Sequence, residues 1–173
     1  MKKKQSGFSL IELLIVVAII LIIAAIAIPN LLRSRMAANE SSAVGSIRTM
    51  NTAAITFNST YGDGFPPDLL TLGGAGGTCK AAGLLDAVLS AGQKSGYNFA
   101  LIPGTVAVVA AAVPAGCTAG FTDGYVVTAT PQNVGTTGQR AFCSDASGVI
   151  RFNPTGAVAP VSPLCAVTDN PLQ

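Results

Sequence analysis

Residues 7–29 read GFSLIELLIVVAIILIIAAIAIP, an apolar run in which Glu12 is the single charge. From Phe8 to Ile28 the only polar side chains are Ser9 and Glu12. A helix over this segment rises 1.5 Å per residue and spans about 30 Å, the thickness of a bilayer core. A carboxylate at the centre of such a span costs roughly 2.5–3.5 kcal/mol. Glu12 therefore calls for a partner and marks a functional site. Lys2, Lys3 and Lys4 precede the run and predict a cytoplasmic N-terminus. A secretory signal cut after Ala25-Ile26-Ala27 fits less well, because the run is too long and carries an acid where such signals are uncharged.

Helical pattern continues past Pro29. Proline lacks the N–H that would bond the Ala25 carbonyl, so a kink or hinge is expected there. Beyond it Met36, Ala43, Ile47, Met50, Ala54, Phe57 and Tyr61 recur at helical spacing as one apolar stripe, with Arg33, Arg35, Glu40 and Arg48 off it. Gly62, Gly64, Pro66 and Pro67 end the pattern. The expected element is one helix over 8–61. Residues 8–28, apolar all round, suit a membrane or a filament core, and 29–61 are amphipathic. A loop region follows over 62–96. Its Gly73-Gly74-Ala75-Gly76-Gly77 run has no Walker-type sequel, and a short helix is expected over Leu84–Ala91, with Gly92 at its end. Strands are expected at Tyr97–Ile102, Thr105–Val113 and Tyr125–Thr130. Arg140–Cys143 and Val149–Phe152 should flank a turn at Ser144–Gly148. Short strands joined by short turns make 97–152 an antiparallel sheet, before a proline-rich, irregular tail over 153–173. The fold class is α+β.

Charged residues are 10% of the chain and histidine is absent. Without the three leader lysines, acids and bases nearly balance, so there is no nucleic-acid footprint. No triad and no metal-ligand cluster is visible, so no enzymatic activity, cofactor or metal is expected. Asp145 reads as a turn former. Asn39-Glu40-Ser41 and Asn58-Ser59-Thr60 match the glycosylation pattern, which is common by chance. Cys79, Cys117, Cys143 and Cys165 all follow the apolar run and contain no C-x-x-C pair. Disulfides on the oxidising side of a membrane suit them better than zinc or free thiols. Three pairings exist. The favoured one joins Cys143 to Cys165, pinning the tail to the last hairpin, and Cys79 to Cys117, closing the loop region.

The leader Lys2-Lys3-Lys4 with Gly7, then Phe8-Ser9-Leu10-Ile11-Glu12-Leu13, and Pro29 downstream, resemble the class III signal of type IV prepilins and pseudopilins. Tyr61–Leu70 and Gly135–Phe142 are similar to pilin head regions. The resemblance implies a lollipop fold, a long helix whose second half packs on a small antiparallel β-sheet head. It also implies removal of leader 1–7 by a prepilin peptidase and methyltransferase, with cleavage between Gly7 and Phe8 and N-methylation of Phe8. The product would be a helical homopolymer, built by an assembly platform and ATPases. The prepilin would sit in the bacterial inner membrane and the mature chain in a cell-surface filament. Adhesion, twitching motility and DNA uptake are family activities, the last being the one route to nucleic acid.

The residues fit this on physical grounds. Gly7 has no side chain to obstruct a protease. Cleavage frees an amine on Phe8, and the Phe8 amine of a neighbouring copy could meet Glu12 and set the axial stagger. Stranding either charge in a dry bundle costs about 3–5 kcal/mol. Two rivals carry the same N-terminal run: a type II secretion pseudopilin, and a monomeric membrane-anchored periplasmic binding domain. The four cysteines and tied tail favour the pilin. Phe8, Phe57 and Tyr61 are the only aromatics on the long helix, which gives a conductive role little support.

Overall fold

A computed structural model describes residues 8–61, 64–105, 117, 121–157, 165 and 170–172. The sequence-predicted strand Thr105–Val113 lies outside these from residue 106, as do the leader and much of the tail. The chain divides into two compact units, one up to Arg35 and one from Met36 on.

Helix α1 (Leu10–Tyr61) contributes to both units and runs without interruption through Pro29. In the first unit its apolar side chains are exposed on every side of the helix, Ala24 alone being half-buried among the described residues. In the second unit the 3.6-residue stripe turns inward, and Ala43, Ile47, Met50, Ala54 and Phe57 are fully buried.

Two short helices follow. α2 (Leu69–Leu72) begins at Asp68, whose carboxylate accepts the Thr71 N–H at 2.7 Å. α3 (Ala87–Ser90) begins after Asp86, which accepts the Leu89 N–H at 2.8 Å. Both are Asp N-caps. α3 is shorter than the predicted Leu84–Ala91 because the Leu84 and Leu85 amides donate to the Leu72 carbonyl instead of entering a helix.

Among the described residues six strands form one antiparallel sheet in chain order: β1 (Gln93–Lys94), β2 (Tyr97–Pro103), β3 (Tyr125–Pro131), β4 (Ala141–Asp145), β5 (Ile150–Asn153) and β6 (Asn170–Pro171). Tyr97 pairs with Pro131 and Pro103 with Tyr125, and Val126 pairs with Asp145. The last hairpin differs from expectation. β4 starts after Arg140 and runs to Asp145, and the Asp145 carbonyl accepts the Gly148 N–H to close a tighter turn. Gly148 has φ +75° there, a left-handed conformation that glycine adopts without strain. The tail is not wholly irregular either. Asn170–Pro171 pairs with Arg151–Phe152 as an edge strand, where a proline costs no ladder bond to a further neighbour.

β3 and β4 are buried almost throughout because both faces of the sheet are covered. Tyr125, Val127, Ala129 and Phe142 join the α1 stripe in the main core, while Val126, Cys143 and Cys165 form a small cluster of their own. The fold is thus α+β, a long N-terminal helix followed by an antiparallel sheet.

Candidate functional site

Ser9 precedes the first helical residue and Glu12 lies in the first turn. The Glu12 carboxylate accepts the Ser9 backbone N–H at 3.0 Å. This is one arm of an S-x-x-E capping box, in which an acid three residues into a helix satisfies an amide that has no helical acceptor. Its charge also complements the positive end of the helix dipole. Glu12 is therefore not without a partner in its own chain, and its carboxylate reaches back to within one residue of Phe8. The signal for this cap lies in four adjacent residues, Ser9-Leu10-Ile11-Glu12. Phe8 is 84% exposed. Gly7 lies outside the described residues.

At the far end of the apolar run, Pro29 withdraws a donor from the helix ladder. The side-chain amide of the next residue, Asn30, donates to the Ile26 carbonyl at 3.0 Å. A polar side chain at this level thus turns back onto the helix.

In the second unit the polar contacts fasten α1 to the sheet. Glu40, expected off the buried stripe, is only 8% exposed. Its Oε1 accepts the Gln139 and Arg140 amides at 2.9 and 3.1 Å, and its Oε2 accepts Nε and Nη2 of Arg140 at 2.8 and 2.7 Å. Burial alone would disfavour the ionised carboxylate, but the Gln139 amide and the Arg140 donors outweigh it and hold its pKa below the usual value. The Arg140 guanidinium also lies 5.5 and 5.3 Å from the Phe142 and Phe152 ring centres. Deeper in, the Asn51 amide donates to Ser144 Oγ at 2.8 Å and its oxygen accepts the Tyr125 hydroxyl at 3.3 Å. Burial, helped by the Asp145 charge, pushes the Tyr125 hydroxyl up to about 12. These contacts hold α1 against the sheet.

The structure joins Cys79 to Cys117 and Cys143 to Cys165, with Cα–Cα distances of 5.5 and 6.0 Å. Asp145 shapes the turn by accepting the Ser147 N–H at 2.9 Å, and its other oxygen accepts the Cys165 N–H at 3.4 Å. It thus supports the same junction as the second bridge. Both glycosylation-pattern asparagines lie on or beside packed contacts: Asn39 donates to the Thr137 carbonyl at 2.8 Å, and Asn58 accepts the Gly64 N–H at 3.3 Å. Among the described residues no group of three or more His, Cys, Asp or Glu side chains could hold a metal ion.

Residues 2–28 match the prokaryotic N-terminal methylation motif. The chain is similar to the type IV major pilin protein PilA of Myxococcus xanthus, 42% identical over 73 residues that cover 38% of this chain and 33% of that protein. It is also similar to the type IV wide pilus major component PilA4 of Thermus thermophilus, 59% identical over 39 residues, which are 22% of this chain and 30% of that protein. The chain thus spans about a third of the length of these curated relatives. No solved structure matches significantly. The resemblance to type IV prepilins read from the leader, Phe8 and Glu12 is shown by these matches.

Proposed function

We propose that this chain is the structural subunit of a type IV pilus, stored in the inner membrane as a prepilin and polymerised through its N-terminal helices after cleavage between Gly7 and Phe8. The observation that carries the reading is the first part of α1, apolar on every side and with none of its described apolar side chains buried. Such a surface is stable only in lipid or among other helices like itself. A prepilin peptidase that also methylates Phe8, an assembly platform and cytoplasmic ATPases complete the scheme. The role is structural rather than enzymatic. That both relatives are named as major pilus components favours a pilin over a secretion pseudopilin.

Glu12 has two successive partners in this scheme. In the stored chain it caps Ser9. In the filament it faces the Phe8 amine of a neighbouring copy, a cation that outbids a neutral amide because hydrogen bonds between charged groups are about twice as strong. Glu12→Gln separates the two roles, since glutamine caps a helix as glutamate does but cannot neutralise an amine. The variant should insert and be cleaved normally yet yield no filaments by electron microscopy. Normal filaments would leave Glu12 as a cap alone and end the proposed role of its charge.

A further inference from the structure

The apolar run is bounded by charge at both ends. Beyond Glu12 the next charged residues are Arg33 and Arg35. The interval Leu13–Leu32 holds twenty residues, about 30 Å of helix and one bilayer core. Arg33 and Arg35 are exposed, and among the described residues neither has a hydrogen bond or ion pair. We propose that Arg33 and Arg35 form a collar that binds lipid phosphates of the outer leaflet and fixes the depth of the stored chain, a proposal that rests on the membrane-stored state described above.

The angular placement identifies the partner. Residues two apart on a helix differ by about 200° around its axis, so the two guanidinia leave opposite sides of α1. One neighbouring helix could engage only one of them. A surface that surrounds the helix engages both, and a headgroup layer is such a surface. Guanidinium is suited to it because its planar donor fork matches phosphate oxygens, and its long stem can lie along the last apolar turn while the charge reaches the interface. The turned-back amide of Asn30 keeps the preceding turn compatible with the edge of the core. With the collar at one interface, Glu12 falls at the other rather than at the bilayer centre. This is why the acid is tolerated in storage. Once Lys2, Lys3 and Lys4 leave with the leader, Arg33 and Arg35 become the basic side chains nearest the span.

The test uses the full chain with guanidinium-carbon-labelled arginine, reconstituted in vesicles of phosphatidylcholine and phosphatidylglycerol. Dipolar dephasing of the arginine signal by lipid phosphorus is measured by solid-state magnetic resonance. Backbone hydrogen exchange across Leu13–Leu32 independently reports whether the helix is inserted. The expected result is strong dephasing in the unaltered chain and its loss in Arg33→Gln/Arg35→Gln, with exchange protection retained in both. A protected helix without phosphorus dephasing would overturn the collar and leave the pilus reading standing, as would dephasing that survives the double substitution. An unprotected helix would overturn both.

Discussion

Replacing Glu40 by alanine tests whether one buried carboxylate fastens α1 to the sheet. Glu40 accepts two backbone amides and both arms of Arg140. Hydrogen bonds to a charged group contribute about 1.5–3 kcal/mol each. The guanidinium is 40% exposed, so its share falls toward the roughly 0–1 kcal/mol of a surface pair. The two amides thus dominate, and Glu40→Ala should destabilise the fold by about 3 kcal/mol near neutral pH. The sign of the pH dependence follows from the lowered folded-state pKa. The stabilisation is fully present above the unfolded value of 4.5 and is lost as pH falls through the lower folded value. The gap between the two proteins should therefore hold from neutral pH down to about 4.5 and narrow in more acid solution. Denaturant unfolding of the detergent-solubilised chain with its disulfides intact, followed by near-ultraviolet circular dichroism, measures it. A difference under about 0.5 kcal/mol at neutral pH, the size of an ordinary surface substitution, would refute the reasoning. So would a gap that widens on acidification.

The Cys143→Ser/Cys165→Ser double variant opens a loop of 22 residues and should cost about 3–4 kcal/mol of stability by chain entropy, read in the same unfolding assay. Its Leu172 amide, which donates to the Ile150 carbonyl at 2.9 Å, should also lose hydrogen-exchange protection, whereas those of β2 and β3 should not. Unchanged protection at the tail would show that β6 holds without the bridge. In an alkaline titration followed by tyrosine absorbance, Tyr125 should ionise near pH 12 and Tyr97 later still, burial being the first cause for both and the Glu40 charge adding to it for Tyr97. Ordinary titration of Tyr97 and Tyr125 in the folded chain would contradict the packing of both residues.

Much of the fold was legible because it rests on local periodicity. The stripe from Ala43 to Phe57 follows from helical spacing, and alternation in Tyr97-Asn98-Phe99-Ala100-Leu101 marks β2. What escaped depends on partners distant in sequence. Glu40 looked like a solvated helix charge because its acceptors' partners lie 99 and 100 residues away, and nothing near Glu40 signals them. Asn51 is buried for the same reason, its partner Ser144 being 93 residues on. β6 escaped because two residues ending in proline carry no strand pattern. The Ser9–Glu12 cap, by contrast, was readable from four adjacent residues.

In the proposed scheme subunits join only after the leader is removed and a new amine appears on Phe8. Mass analysis of the N-terminal peptide of chains isolated from surface filaments tests it most directly. The expected peptide begins at N-methylated Phe8. Filament chains that still carry Lys2–Gly7, or that begin at any other residue, would contradict it.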